Sequence, residues 1–104
     1  MGMELNQIEG DGHILVQSVG EVDLNTSPAL REAVLAAIKA YDSVGIDLNG
    51  VDYMDSSGVA TLVEGLKACA DKKKTFTLVN PSEPVLKVLK LARLDGLFRI
   101  REKM

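Results

Sequence analysis

The feature that most constrains this chain is a hydrophobic period that changes repeatedly along it. In "VGIDLNGV", residues 44–51, Val44, Ile46 and Leu48 alternate with Gly45, Asp47 and Asn49, which is the period of a strand. On either side the period lengthens. Leu30, Val34, Ala37, Ile38 and Tyr41 recur at helical spacing, with Arg31, Glu32 and Lys39 elsewhere on the wheel. Val59, Leu62, Val63 and Leu66 repeat the pattern and predict a second helix ending near Asp71. β-rich "TFTLVN" follows at 75–80. Pro81 and Pro84 then open a third helix carrying Val85, Leu86, Val88, Leu89 and Ala92, and "LDGLFRI" turns at Gly96 into a last short strand. Upstream, "HILVQSVGEV" at 13–22 reads as a strand, and "GDG" at 10–12 is a turn joining it to a short strand over 4–8.

The predicted order is β-β-α-β-α-β-α-β. Strands separated by helices imply parallel neighbours joined by crossovers, and the opening hairpin adds an antiparallel edge. The expected fold class is therefore α/β, with a mixed sheet, an opening antiparallel hairpin and amphipathic helices packed on it. At 104 residues, 1–104 is expected to form a single domain.

Composition narrows the function. Aromatic residues make up 4% of the chain, with no Trp, so the core must be aliphatic. A net charge of −3 gives no electrostatic reason to bind nucleic acid directly. The single cysteine, Cys69, excludes an internal disulfide and reads as a small buried thiol. "MGMELNQIEG" has no basic segment followed by an apolar run, and no apolar stretch approaches the roughly 20 residues of a membrane span. A cytoplasmic protein without membrane insertion is expected.

The chemistry concentrates in "VDYMDSSGVATLVEGLK", residues 51–67, where a strand runs into Asp55-Ser56-Ser57-Gly58 and a helix starts at once. Asp, Ser and Asn are preferred helix caps, so Ser56 or Ser57 can cap this helix, as Thr26 or Ser27 can cap the one opened by Pro28. One cap needs one residue, however, and this strand end offers three polar side chains in succession. In open α/β sheets that end is where ligands and partners dock. Gly58 lets the backbone turn sharply or pass close to a neighbour.

Nucleophilic catalysis lacks its parts. The one histidine, His13, lies far away in sequence, there is no G-x-S-x-G elbow, and Ser56 and Ser57 are followed at S-x-x-K spacing by Val59 and Ala60. Neither a metal-ligand spacing nor a P-loop is present. No cofactor and no enzymatic activity are expected. A phosphoryl group fits better, because a helix N-terminus offers free N–H donors and a partial positive charge. Asp23 and Asp55, if close to it, would leave the surface strongly negative and let a partner reject the phosphorylated form. The residues by themselves do not choose between Ser56 and Ser57.

"GEVDLNTSPALREAV", "VDYMDSSGVATLVEGLK" and "LVNPSEPVLKVLKLARLDGLF" resemble, in order and spacing, a STAS domain of the bacterial anti-sigma factor antagonist type. The similarity spans Gly12 to Ile100, and D-S-S-G is its most specific part. The resemblance implies partner switching. The unphosphorylated antagonist binds a GHKL-type serine kinase that doubles as an anti-sigma factor, and is released on phosphorylation. A metal-dependent serine/threonine phosphatase restores it. The phosphoacceptor implied is Ser57. Asp23, Asp55, Ser56 and Gly58 are implied to lie beside it, with Asn25, Thr26 and Met54 on the same rim in contact with the kinase. Lys72, Lys73 and Lys74 depart from the pattern and are expected to form a solvated loop. Lys87, Lys90 and Arg93 are expected to be a solvated stripe. The alternative implied is a STAS subunit of an ABC-type lipid transporter that braces its ATPase.

Overall fold

A computed structural model of the chain describes residues 2–104. Its elements are β1 (Met3–Gly10), β2 (His13–Val22), α1 (Ser27–Ala40), β3 (Ser43–Met54), α2 (Ser56–Asp71), β4 (Thr75–Val79), α3 (Glu83–Leu91) and β5 (Arg99–Arg101). They form a single α/β domain with one five-stranded sheet in the order β1-β2-β3-β4-β5. β1 pairs antiparallel with β2, and the remaining pairs are parallel. This is the mixed sheet with an antiparallel hairpin that the periodicity predicts. Gly12, at φ 73, takes the left-handed position of the hairpin turn.

Two strands are longer than their apolar runs. β1 stays in register from Met3↔Gly20 to Gly10↔His13 although Gln7 and Glu9 are exposed. β3 continues through exposed Asp52 and Tyr53 because β2 pairs with it as far as Val22↔Met54. Backbone ladders, not side-chain burial, extend both. β4 pairs only with the stretch from Ser43 to Asp47, so the far end of β3 projects past it. Ser82 closes that gap. Its N–H donates to the Leu48 carbonyl at 3.2 Å and its Oγ to the Val51 carbonyl at 2.6 Å.

The core is a single, mainly aliphatic cluster. Leu30, Val34 and Ile38 of α1 meet Val44, Ile46 and Leu48 of β3, with Leu62 from α2 and Leu89 from α3. α1 and α2 lie side by side over the sheet. Gly65 allows the close approach of α2, since a Cβ there would lie 2.8 Å from the Phe76 ring and 3.0 Å from Val34. Ser18 is drawn inward at an irregularity between Gln17 and Val19, and its Oγ has no hydrogen-bond partner among the described residues.

Several local expectations change. Thr26 is the residue before α1, but neither it nor Ser27 caps the helix through its side chain. Thr26 Oγ1 instead donates to the Glu21 carbonyl at 2.8 Å and accepts from the Asp23 N–H at 2.9 Å. Pro84 lies in the first turn of α3, whereas Pro81 precedes the helix. Ala92 is the exposed C-cap of α3 and is not part of its apolar face. Lys72 and Lys73 are exposed as expected, but Lys74 is half-buried and its Nζ donates to the Ile38 carbonyl, fastening this loop to the end of α1. Lys87, Lys90 and Arg93 are exposed. Among the described residues, no helix is long and apolar enough to cross a membrane.

Candidate functional site

Asp55 joins β3 to α2. Its backbone is extended, with φ −104 and ψ −171, and it is the N-cap of α2. Its carboxylate accepts the Ser57 N–H at 2.9 Å and the Ser57 hydroxyl at 2.5 Å. Neither serine is therefore the cap. A carboxylate meets the free donors of the first turn with a full negative charge at the positive end of the helix, which a hydroxyl cannot match. The Ser57 hydroxyl, with help from the N–H groups of Ser57, Gly58 and Leu24, holds the Asp55 carboxyl below the usual carboxylate range against partial desolvation.

The Leu24 contact ties this turn to the one after β2, and the Asp55 N–H reinforces the tie by donating to the Val22 carbonyl at 3.1 Å. Asp23 orders that second turn. Its Oδ1 accepts the N–H groups of Asn25 at 2.9 Å and Thr26 at 3.0 Å. Asp and Asn side chains commonly close turns over the next residues in this way. The ends of β2 and β3 thus present one rim. Asn25 and Ser56 are exposed on it, and Asp23, Thr26, Asp55 and Ser57 are half-buried.

Met54 does not belong to the rim. It is 2% exposed and lies in the core. Paired with Val22 at the last step of the ladder, it packs beneath Gly58, where a Cβ would lie 2.7 Å from Met54 Cγ and 2.8 Å from Val22 Cγ1. The expected contact of Met54 with a partner is corrected on that ground. Gly58 is itself buried, and it serves close approach, not a left-handed turn, since its φ is not positive.

Sequence reasoning missed two exposed apolar side chains beside the motif. Leu24 is 78% exposed and Tyr53 49% exposed. The available signal for Leu24 was a large apolar residue isolated between polar ones in "VDLNTS". Sequence reasoning also missed a groove of about 620 Å³ between α1 and α2, into which Ser57, Thr61 and Arg31 open. Arg31 there forms a two-pronged ion pair with Glu64, Nε to Oε1 and Nη2 to Oε2, both at 2.7 Å. This hydrogen bonding holds the Glu64 carboxyl below its ordinary value. With the partners 33 positions apart in the chain, no local spacing announces the pair.

His13 and Ser57 stand at opposite ends of β3, because His13 pairs with Ser43 at the start of the strand while α2 begins past Met54. The Ser57 hydroxyl accordingly has a carboxylate, not an imidazole, as its partner. Cys69 is buried, and burial pushes its thiol pKa up, away from the reactive thiolate. Among the described residues, no group of three or more His, Cys, Asp or Glu side chains is placed to hold a metal ion.

The family model described as "Mlab, STAS domain" matches residues 7–101. The chain belongs to the STAS domain family. This STAS domain is 26% identical over 103 residues to the anti-sigma-B factor antagonist of Bacillus subtilis, covering 99% of this chain and 94% of that one. Its fold superposes on the crystal structure of an anti-sigma factor antagonist from Mycobacterium paratuberculosis with a TM-score of 0.88 at 25% identity, over 99% of this chain and 88% of that one. The phosphorylated form of SpoIIAA, a Bacillus cell fate determinant, shares the fold with a TM-score of 0.75 at 21% identity, over 98% of this chain and 92% of that one.

Proposed function

We propose that this STAS domain is an anti-sigma factor antagonist that works by partner switching, with Ser57 as its phosphoacceptor. The observation that carries the reading is the division of labour at the start of α2. Asp55 caps the helix, so Ser57 is not needed for that task, and its hydroxyl stands half-exposed on the rim of an open groove. The names of its relatives, anti-sigma-B factor antagonists that it matches along nearly their whole length, support the same assignment.

In this mechanism the unphosphorylated rim docks on a GHKL-type serine kinase that also acts as the anti-sigma factor. Asp23, Asn25, Thr26, Asp55 and Ser56 supply polar contacts around Ser57, with the Gly58 backbone behind it. Leu24 and Tyr53 add the apolar contacts that a stable interface needs at its centre. The kinase then transfers the γ-phosphoryl group of ATP. The Ser57 Oγ–phosphorus bond forms, the bond to the β-phosphate oxygen breaks, ADP leaves, and the hydroxyl proton passes to a base of the kinase. The product carries ≈ −1.5 to −2 added charges beside Asp55 and Asp23, and the complex separates by like-charge repulsion. A metal-dependent serine/threonine phosphatase removes the phosphate by hydrolysis and restores the binding form.

The test is affinity purification of the tagged protein from its host, with mass spectrometry of its partners and of the Ser56/Ser57 peptide. Recovery of a GHKL-type kinase, with phosphate on Ser57, is expected. Ser57→Ala should retain the kinase constitutively and Ser57→Asp should lose it. Retention of the kinase by Ser57→Asp as tightly as by the wild type would refute the mechanism. Recovery of an ATPase and a permease with an unmodified peptide would assign the chain to the transporter class instead.

A further inference from the structure

The reading of Ser57 as a phosphoacceptor leaves one feature of the groove unexplained, the Arg31–Glu64 pair. Its side chains are 54% and 41% exposed, so water and salt screen the pair despite its two-pronged geometry, and a more highly charged acceptor can compete for the guanidinium. α1 and α2 each follow one of the parallel strands β2 and β3, so both begin beyond the same, C-terminal ends of those strands. At 1.5 Å of rise per residue, Ser57 stands about 1.5 Å into α2, Arg31 about 6 Å into α1 and Glu64 about 12 Å into α2. Arg31 therefore sits at a level between Ser57 and Glu64. Its guanidinium lies against Glu64, and the groove that it lines is shared with Ser57.

Phosphorylation would reverse the forces on the Ser57 side chain. The hydroxyl proton now given to Asp55 is lost, and the hydrogen bond at 2.5 Å becomes repulsion between a phosphate and a carboxylate. The phosphate then turns away from Asp55, into the groove. Among the described residues lining that groove, Arg31 is the one cation, and the other charged members are Glu32 and Glu64. A phosphate carries more charge than the Glu64 carboxylate and accepts the same two-pronged geometry from a guanidinium. We propose that Arg31 is the internal receiver of phosphate on Ser57, exchanging Glu64 for the phosphate when the serine is modified. The inference rests on the reading of Ser57 as the phosphoacceptor. It adds a consequence: the modification also frees the Glu64 carboxylate, two turns along α2, so the altered surface extends down the groove.

The test installs phosphoserine at position 57 of the full chain during translation and follows the second ionisation of the phosphate by phosphorus NMR. In the otherwise wild-type chain its pKa is expected about 0.5 unit or more below that in Arg31→Gln, since a nearby cation favours the dianion. Arg31→Lys, which keeps the charge without the fork, should recover part of the shift. Glu64→Gln, which removes the competing carboxylate, should lower the pKa further. Equal values in the wild type and a folded Arg31→Gln, or a rise in Glu64→Gln, would overturn the proposal. No kinase is used, so this titration reports only the Arg31 contact, and the host phosphopeptide map separately reports whether Ser57 is the phosphoacceptor.

Discussion

Gly58→Ala tests how the start of α2 is seated on the sheet. Helix propensity alone predicts a gain, because Ala is favoured over Gly in a helix by roughly 0.5–1 kcal/mol. No positive φ at Gly58 opposes the change. Space does. The new Cβ would lie 2.7 Å from Met54 Cγ and 2.8 Å from Val22 Cγ1, well inside van der Waals contact. Met54 is flexible, but Val22 is β-branched and 0% exposed, so it has little room to yield. Overpacking of this sort costs about 1–3 kcal/mol. Taking mid-range values, about 2 kcal/mol of overpacking against roughly 0.75 kcal/mol of propensity, the net expectation is a loss of roughly 1 kcal/mol, or several degrees in Tm for a domain of this size. Urea unfolding followed by circular dichroism measures it, with an unchanged slope showing that the surface exposed on unfolding is the same. A double-mutant cycle with Met54→Ala isolates the contact. Met54→Ala alone should cost about 2–5 kcal/mol by leaving a cavity, and the double variant should cost less than the sum by about 0.5–3 kcal/mol. A Gly58→Ala protein as stable as the wild type, or an additive cycle, would refute the close-approach argument.

Three further outcomes are expected. Asp55→Ala should lose the α2 cap, about 1 kcal/mol at neutral pH by urea unfolding. Because the folded-state pKa of Asp55 is depressed, its contribution is present above the ordinary carboxylate value of about 3.9 and is lost as pH falls through the lower folded value. The wild-type and Asp55→Ala stability curves should therefore converge only in that acid range. Ser18→Ala should match or exceed wild-type stability, by up to ~1 kcal/mol, because it removes a buried hydroxyl without a partner; a loss of that size would contradict the assignment. Leu24→Ser should leave stability within about 0.5 kcal/mol of wild type, since the side chain is 78% exposed. It should weaken binding to the partner recovered from the host by about 1 kcal/mol or more in calorimetry, and unchanged affinity would remove Leu24 from the interface.

The fold was legible wherever burial is periodic. Val44, Ile46 and Leu48 announced the central strand, Leu30, Val34 and Ile38 the first helix, and Asp71 the end of the second. The outer stretches of β1 and β3 were not legible, because backbone pairing and not apolar burial holds them. The motif at 55–58 was visible as a strand-to-helix junction, but its internal assignment was not. Asp, Ser and Ser are all competent caps, and only the geometry makes Asp55 the acceptor and leaves Ser57 its donor. Met54 was placed on the rim by the family resemblance, and local periodicity could not correct it. At a strand's last residue, alternation no longer says which side is covered, and here α2 folds back over it.

The sequence by itself determined the element order, the mixed sheet and the position of the polar junction, because these follow from local periodicity and local turn chemistry. Tertiary structure alone decided which residues share a surface. The carboxylate of Asp55 reaches Leu24 across the ends of two strands, and Arg31 reaches Glu64 across two helices 33 residues apart in the chain. Hydrogen bonds and ion pairs act over a few ångströms of space, a range that sequence separation does not record.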